Sequence, residues 1–240
     1  MTIKEILQKT SHRPWKLPPG KWKYYQEWNN AIFLHFQVDI EELKKLVPKQ
    51  LEIDTFDGKA YISIVPFTME KIRQRNFPPF PPISNFHEIN IRTYVKYKNK
   101  TGVYFLSIEG GKKSSCFVAK SLSGLPYRFS KIERSSIAYS SKNAEFKDSL
   151  SFKYKLGPQS KSKSNLELWL TERYALFQET KNSINQFEIH HLEWTTNQVK
   201  IQDLKLNYAR FKTLIQTNPT LAQYSPGVQV VAWRIIKNVL

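Results

Sequence analysis

Residues 86–94, FHEINIRTY, give the clearest structural signal in the sequence, because their side chains alternate in character with a period of two. Such alternation, bracketed by turn residues, predicts a β-strand with one face against a core. One face is mostly β-branched. The other face places polar groups between two aromatic rings: Phe86, Glu88, Asn90, Arg92 and Tyr94. Two interpretations of this polar row stay open, a solvated strand face and the lining of an internal cavity.

Glu88 and Arg92 are too far apart on this strand to pair with each other. Same-face neighbours on a strand are roughly 6–7 Å apart, and two such steps separate the carboxylate from the guanidinium. Each group therefore needs a partner from another part of the chain, or water.

The composition favours a folded chain rich in β-strands. It has 240 residues, of which 40% are hydrophobic, with 15 Phe, 12 Tyr, 6 Trp and only 8 Gly. Large aromatic side chains favour strands and argue against disorder. Cys116 is the single cysteine, so neither an internal disulfide nor a thiolate metal cluster can form. We expect Cys116 to be an inert core residue, since nothing beside it marks a reactive thiolate.

The sequence contains no recognisable targeting or membrane segment. Residues 1–21 lack the continuous apolar stretch of a signal peptide, and no run approaches the roughly 18 apolar residues of a membrane span. These patterns predict a cytoplasmic protein without a membrane partner.

The formal net charge of +17 raises the question of an anionic partner. A strongly basic protein can bind nucleic acid, an anionic surface or acidic ligands. The lysines are dispersed, however, and the densest groups, at residues 96–100 and 161–163, are typical of turns. Specific nucleic-acid binding is therefore disfavoured, and a polyanion binder stays as an alternative function.

Several local patterns predict short helices. Residues 2–9 and 39–47 have helical character, and Asp39 followed by Glu42 has the spacing of a capping box. Residues 114–122 form a third candidate, with Cys116, Phe117, Ala119 and Leu122 available for burial and Gly124 as the stop. Lys112 and Lys113, which follow two glycines, are expected in an exposed turn.

Strands are predicted at residues 22–38 (broken near Asn29-Asn30), 51–56, 60–67, 103–108, 166–174, 187–194 and 228–240. Asp57-Gly58 predicts a hairpin turn, and Pro66 indicates an edge or a bulge. The proline-rich segment 77–82 is either a tight surface connection or a lid over a pocket mouth, and both interpretations stay open.

Five further side chains have either a binding or a structural interpretation. His35 lies between apolar neighbours, where a structural role is the more frequent one. On the predicted 166–174 strand, Glu172 continues an apolar face and needs a partner or a wet cavity, while Arg173 points the other way. His190 and His191 diverge on a strand, so a shared metal is not expected.

The chain resembles the YqjF-like family of bacterial proteins, within the acetoacetate-decarboxylase-like superfamily. The resemblance rests on His12-Arg13-Pro14-Trp15, residues 54–58 (DTFDG), 65–67 (VPF), 88–95 (EINIRTYV), 125–127 (LPY) and 170–174 (LTERY), and His191 with Trp194. It implies a mainly β, α+β fold: a single domain over residues 1–240, built as an antiparallel β-barrel or cone with a few short helices and an internal cavity.

The resemblance also bears on catalysis. Decarboxylases of that superfamily use a lysine that forms a Schiff base, in a segment that corresponds here to Leu125-Pro126-Tyr127-Arg128. Tyr127 would occupy the nucleophile position and Arg128 that of the neighbouring cation. A phenol cannot form an imine, so decarboxylation by that route is not expected. Glu88 falls where those enzymes carry a cavity glutamate.

We therefore expect a protein that binds a small carboxylate or carbonyl compound in an internal cavity. Arg92 or Arg128 would hold a carboxylate or enolate oxygen, and Glu88 or Glu172 would act as an acid or base. Tyr127 would donate a hydrogen bond. The other expected ligand-binding residues are Asn90, Tyr94, His35 and His191. No metal or cofactor is expected. Whether the protein is an enzyme stays open, as do a homo-oligomer and a purely structural or partner-binding role.

Overall fold

A computed structural model describes residues 1–215 and 218–239. Within these ranges the strands are β1 Tyr24–Val38, β2 Glu52–Ile53, β3 Ala60–Gln74, β4 Phe86–Tyr97, β5 Lys100–Gly110, β6 Tyr127–Phe129, β7 Lys131–Arg134, β8 Ala138–Lys142, β9 Ser149–Gln159, β10 Ala175–Thr180, β11 Ser183–His190, β12 Asn197–Asn207, β13 Leu221–Ala232 and β14 Ile236–Val239. The α-helices are α1 Ile3–Gln8, α2 Ile40–Lys44, α3 Lys113–Ser123 and α4 Asn165–Thr171, with a 3-10 helix at Ala209–Phe211. The expectation of a mainly β fold with a few short helices is confirmed.

The strands form one continuous sheet. Its order is β14-β11-β10-β5-β4-β3-β1-β13-β12-β9-β8-β7, with β2 beside β4 and β6 beside β5. Within this order, β11 and β13 are separated by β10, β5, β4, β3 and β1. Because β11 also pairs directly with β13, these seven strands form a closed circuit of strand pairings. Pairing is antiparallel except where β5 meets β6 and β10, which are parallel to it.

Strand β4 is central, and both of its faces are buried. It pairs with β3 on one side and β5 on the other, and residues 88–95 are all buried. The β-branched face, including Ile89, Ile91 and Val95, joins the largest hydrophobic cluster of the molecule. The polar row on the other face is therefore enclosed by protein instead of facing bulk solvent.

The turn at Asp57-Gly58 is present, but the strands around it differ from the prediction. Asp57 and Gly58 both have positive φ, at 49° and 74°, and a bridge between Phe56 and Lys59 closes the turn. The preceding strand β2 has only two residues and pairs with β4. Pro66 lies on β3, which is paired on both sides, so the prediction of an edge strand is wrong. The register of β3 against β1 shifts between Asn29 and Leu34, opposite Pro66, so the predicted bulge is confirmed.

The strand predicted at residues 166–174 is wrong. Residues 165–171 form α4, whose N-cap Ser164 accepts a hydrogen bond from the backbone N–H of Glu167, while the Glu167 carboxylate accepts one from the Ser164 N–H. Reciprocal capping satisfies two backbone donors that a helix end leaves without partners. Glu172 therefore ends a helix and does not continue a strand face.

Two other helices differ in detail from the prediction. Asp39 caps α2, but Glu42 pairs with Lys45, so only half of the capping box forms. Helix α3 ends as predicted at Gly124, which has the left-handed φ of 71°. On α3, Cys116 is buried, but Phe117 and Leu122 are exposed.

The predicted strand at residues 228–240 divides into the end of β13 and β14, and residue 240 lies outside the described residues. None of the helices in the described part of the chain is long and apolar enough to cross a membrane.

Candidate functional site

The polar row of β4 opens onto a cavity of about 500 Å³. Its walls come from β1, β3, β4, β5, β10 and β11, with α3 and β6 at one side, and they are mostly apolar. Aromatic and aliphatic side chains such as Phe33, Phe67, Met69, Phe105 and Trp194 line it. The buried or part-buried polar lining includes Glu88, Asn90, Arg92, Tyr127, Arg173 and His191. A mostly apolar pocket of this size with a few convergent polar groups is typical of small-molecule sites.

Glu88 and Tyr127 form a hydrogen-bonded pair in this cavity. The phenol O–H of Tyr127 donates to Glu88 Oε2 at 2.9 Å. Burial raises the pKa of Glu88 to about 8, and the hydrogen bond from Tyr127 only partly opposes this. The pKa of Tyr127 is raised as well, by burial and by the nearby carboxylate. At neutral pH Glu88 is therefore mainly a neutral acid that can donate a proton.

Arg92 lies on the same row, two same-face steps from Glu88, which is about 13 Å along the strand. Its guanidinium stacks over Phe33, with Cζ 5.8 Å from the ring centroid, and its Nη2 donates a long 3.4 Å hydrogen bond to the Leu170 carbonyl. Its Nε has no hydrogen-bond partner among the described residues, and no carboxylate there forms an ion pair with it. Arg92 is thus a buried cation without a protein counter-ion in that part of the chain.

A second guanidinium, that of Arg173, borders the same cavity. Its Nη1 donates to Asp54 Oδ2 at 2.6 Å, and the guanidinium lies 4.2 Å from the Trp169 ring centroid. Its Nη2 has no partner among the described residues. Burial lowers the pKa of Arg173, while Asp54 opposes that shift.

Alternation at residues 166–174 predicts a strand where α4 forms, and Arg173 is therefore not among the predicted site residues. The recognisable helix signal at Ser164 and Glu167 would have shown that residue 173 follows a helix end.

Tyr94 and His35 stand behind Arg92 and are not part of the cavity lining. His35 Nδ1 lies 2.6 Å from Ser63 Oγ, which lies 2.5 Å from the Tyr94 oxygen. The Tyr94 O–H donates to the Leu170 carbonyl at 3.0 Å, the same carbonyl that Arg92 contacts. Burial lowers the pKa of His35 to about 3, so its ring is neutral. The two residues form a buried network that supports the Arg92 end of the row.

Asn90 and His191 do line the cavity. Asn90 lies between Glu88 and Arg92, and its Oδ1 has no partner among the described residues. His191 Nδ1 lies 2.7 Å from the Leu192 carbonyl, and since a carbonyl only accepts, Nδ1 carries the proton. Burial lowers the pKa of His191, which favours the neutral ring.

Arg128 and Glu172 lie outside the cavity, contrary to the roles expected for them. Arg128 Nη2 pairs with Glu109 at 2.9 Å and with Asp148 at 2.8 Å. The parallel pairing of β6 with β5 directs Tyr127 into the cavity, and alternation along the strand directs Arg128 away from it. Glu172 accepts hydrogen bonds from Lys163, Tyr174 and the Trp194 N–H, so its oxygens already have partners.

Among the described residues that line the cavity, none is a lysine or a cysteine. Lys113 begins α3, and Lys112 donates from Nζ to the carbonyls of Pro81 and Ser84. Cys116 Sγ is buried against the carbonyls of Gly110 and Arg128, as expected of an inert core residue. Burial raises the pKa of its thiol to about 11. Groups of three or more metal-ligating side chains are not found in the described part of the chain.

Sequence comparisons place the chain among proteins of one family. The family model DUF2071, described as an uncharacterised conserved protein, matches residues 25–229. The uncharacterised protein YqjF of Bacillus subtilis (strain 168) is 34% identical over 230 residues, which cover 92% of this chain and 95% of that protein.

Solved structures share the fold at low sequence identity. Acetoacetate decarboxylase from Legionella pneumophila matches with a TM-score of 0.61 and 13% identity, over 98% of this chain and 94% of that one. The enduracididine biosynthesis enzyme MppR, complexed with pyruvate, matches with a TM-score of 0.61 and 10% identity, over 94% and 93% of the two chains. These similarities establish an acetoacetate-decarboxylase-like fold.

Proposed function

This chain belongs to the DUF2071 family, and we propose that it binds an organic acid or a related carbonyl compound in the cavity beside β4. The carboxylate of the ligand would lie at Arg92. A carbonyl or enol oxygen would face the neutral acid Glu88, with Tyr127 beside it. The apolar part of the ligand would occupy the wall formed by residues such as Phe33, Phe67 and Trp194.

The observation that carries this proposal is the uncompensated guanidinium of Arg92. A buried charge is costly unless it is paired and hydrogen-bonded. Within the described residues Arg92 has one long hydrogen bond and no carboxylate partner. A ligand carboxylate would supply both the opposite charge and an acceptor for the free Nε, and the free Nη2 of Arg173 offers a second donor nearby.

The apolar wall and the neutral Glu88 narrow the ligand class. A small, fully polar acid would leave most of the 500 Å³ cavity unfilled, so an apolar chain attached to the carboxylate suits the lining better. A protonated Glu88 can donate a hydrogen bond to a neutral carbonyl oxygen, which an ionised glutamate cannot do. The pyruvate complex of MppR, a protein of similar fold, contains a 2-oxo acid, which joins a carboxylate to a carbonyl group.

Binding can be tested with three probes that share a chain length: 2-oxooctanoate, octanoate and octanamide. Trp28, Trp194 and Trp233 line the cavity, so tryptophan fluorescence reports occupancy. We expect both carboxylates to bind and the amide to bind at least tenfold more weakly. Arg92→Met should weaken carboxylate binding about 10- to 100-fold, since a charge-assisted hydrogen bond contributes roughly 1.5–3 kcal/mol.

The matched control is Arg210→Met, because Arg210 is exposed and does not line the cavity. It should bind the probes as the wild type does. Carboxylate affinity that is unchanged by Arg92→Met, or equal for octanoate and octanamide, would refute the assignment of Arg92.

Acid–base chemistry at Glu88 is a second candidate function of the same site. A carboxyl group with a pKa of about 8 is matched to proton transfer near neutral pH. Exchange of the C3 protons of 2-oxooctanoate in D₂O near pH 8, followed by NMR, distinguishes the two functions, because about half of Glu88 is ionised there and can take a C3 proton that solvent deuterium then replaces. An enzyme exchanges them, and Glu88→Gln abolishes exchange while it retains the probe. A binding protein retains the probe without exchange.

A further inference from the structure

We propose that the outer surface of α3, together with the proline-rich segment, docks on an anionic lipid bilayer. We call this surface the α3 face and define it by Phe77, Phe80, Lys113, Phe117 and Lys120. Phe77, Phe80 and Phe117 are each between 58% and 74% exposed. Exposed large apolar side chains that cluster on one surface usually mark an interaction site.

The two parts of the α3 face are held together by hydrogen bonds at the first turn of the helix. Lys112 Nζ donates to the Pro81 carbonyl at 2.7 Å, Ser114 Oγ donates to the Pro82 carbonyl at 2.7 Å, and Ser115 Oγ donates to the Ile83 carbonyl at 3.0 Å. These contacts place Phe80 and its neighbours beside the turn that precedes Phe117. The aromatic side chains therefore belong to one surface, even though they are far apart in sequence.

The charge of the same two segments has a single sign. Residues 71–87 and 110–132 contain eight Lys or Arg and neither Asp nor Glu. Lys71, Arg128 and Lys131 pair with carboxylates from outside these segments, whereas Lys113 and Lys120 are exposed and form no ion pair with a carboxylate among the described residues. Exposed basic residues beside exposed Phe are the combination that binds the interface of an anionic membrane.

Charge complementarity favours a bilayer over the other occupants. In a two-fold interface a second copy would bring the same cations against this surface, and like charges repel. A nucleic-acid duplex would neutralise the lysines, but its phosphate backbone would not cover the phenylalanine rings. An anionic bilayer satisfies both features, because headgroups attract Lys113 and Lys120 while the acyl boundary takes the apolar side chains. This proposal departs from the expectation of no membrane partner, which rested on the lack of a membrane-spanning run, and a span is a different property from binding at the surface.

Co-sedimentation of the whole protein with vesicles tests this surface. The vesicles are phosphatidylcholine alone, or phosphatidylcholine with one third phosphatidylglycerol, at 0.1 M salt. We expect binding to the anionic vesicles at least tenfold tighter than to the neutral ones. Phe80→Ser/Phe117→Ser and Lys113→Glu/Lys120→Glu should each weaken binding to anionic vesicles at least tenfold. Because the replaced side chains are exposed, circular dichroism should show that both variants keep the fold.

Matched controls lie on the strands β9 and β12 and at Ile137, just before β8. Ile137→Ser/Leu156→Ser changes two exposed apolar side chains, and Lys155→Glu/Lys200→Glu makes the same charge change on paired strands. These variants should bind vesicles nearly as the wild type does.

Several results would overturn the proposal. Equal weakening by the β9 and β12 controls would show general attraction by the +17 charge. Equal binding to neutral and anionic vesicles, or binding to neither, would refute an anionic bilayer as the partner of the α3 face. A dimer in sedimentation velocity that Phe80→Ser/Phe117→Ser dissociates, without vesicle binding, would assign the α3 face to a second copy.

Discussion

Among single residues, the protonation of Glu88 and the pairing of Arg92, both on β4, determine the chemistry of the site. Glu88 is kept neutral by burial beside Tyr127, whereas Arg92 stays a cation without a counter-ion among the described residues. The row therefore offers the proposed ligand a neutral carboxyl group at one end and a cation at the other. A ligand that satisfies both ends carries an acidic group and a separate carbonyl or enol oxygen.

The buried carboxyl of Glu88 predicts a specific dependence of stability on pH. Its pKa is about 8 in the folded protein and near the ordinary value of 4.5 when unfolded. Below pH 4.5 both states are protonated. As the pH rises from 4.5 to 8 the unfolded state loses its proton first, so the free energy of unfolding falls by up to ~1.4 kcal/mol per pH unit. Above pH 8 the loss levels off.

Glu88→Gln should remove this dependence. Relative to the variant, the wild type should lose about 2–3 kcal/mol of unfolding free energy between pH 5 and pH 7. Urea unfolding at several pH values measures the difference. Glu145→Gln, at an exposed turn, is the control and should leave the wild-type slope unchanged. A slope that is the same for wild type and Glu88→Gln would mean that Glu88 is ionised in the folded protein.

At the scale of elements, α4 determines the Arg92 end of the site. The helix ends just before Glu172 and Arg173, and the carbonyl of its Leu170 receives hydrogen bonds from both Arg92 and Tyr94. Helices this short are marginal by themselves, so their end groups matter. The capping box of Ser164 and Glu167 is therefore part of what positions the buried guanidinium groups.

Ser164→Ala should destabilise the protein by about 1 kcal/mol, because it removes the acceptor for the Glu167 N–H. The measurement is the free energy of urea unfolding, with the exposed Ser136→Ala as control. The variant should also weaken octanoate binding, through the displaced end of α4. Unchanged stability would show that the helix does not depend on this cap.

The sequence predicted β4 well and α4 wrongly, for physical reasons that can be named. The polar residues Glu88, Asn90 and Arg92 alternate with apolar residues without interruption, and this period of two correctly predicts the strand β4. Leu166, Leu168 and Leu170 also alternate, but the capping signal of Ser164 and Glu167 prevailed over that period. Local hydrogen bonding at a helix start was the stronger indication in this segment.

Which side chains enter the cavity could not be predicted from local pattern alone. Tyr127 faces Glu88 and Arg128 faces Glu109 because of the register of β6 against β5, which is a contact between distant parts of the chain. Arg173 is positioned at the site by its hydrogen bond to Asp54, which lies 119 residues earlier in the sequence. Tertiary pairing of this kind leaves no periodic signal in a single sequence.

At the scale of the whole molecule, the cavity exists because the sheet returns on itself. The pairing of β11 with β13 joins the ends of the seven-strand path, and the short parallel pairing of β5 with β10 is one of its links. Ala175 and Leu176 of β10 line the cavity directly. A substitution that separates β10 from β5 should therefore lower the free energy of unfolding and weaken ligand binding.

Gly102→Ala tests that link. A Cβ at this position would lie 2.5 Å from the Ala175 carbonyl oxygen and 2.8 Å from Phe177 Cε2, so β10 would have to move away from β5. Overpacking of this kind typically costs about 1–3 kcal/mol, and we expect urea unfolding to show a loss at the upper end of that range, with weaker octanoate binding. Gly111→Ala is the control, because a Cβ there meets its nearest neighbour at 3.4 Å and should change stability little. If Gly102→Ala were as stable as Gly111→Ala and bound octanoate equally well, the close approach of β5 and β10 would not be what maintains the cavity.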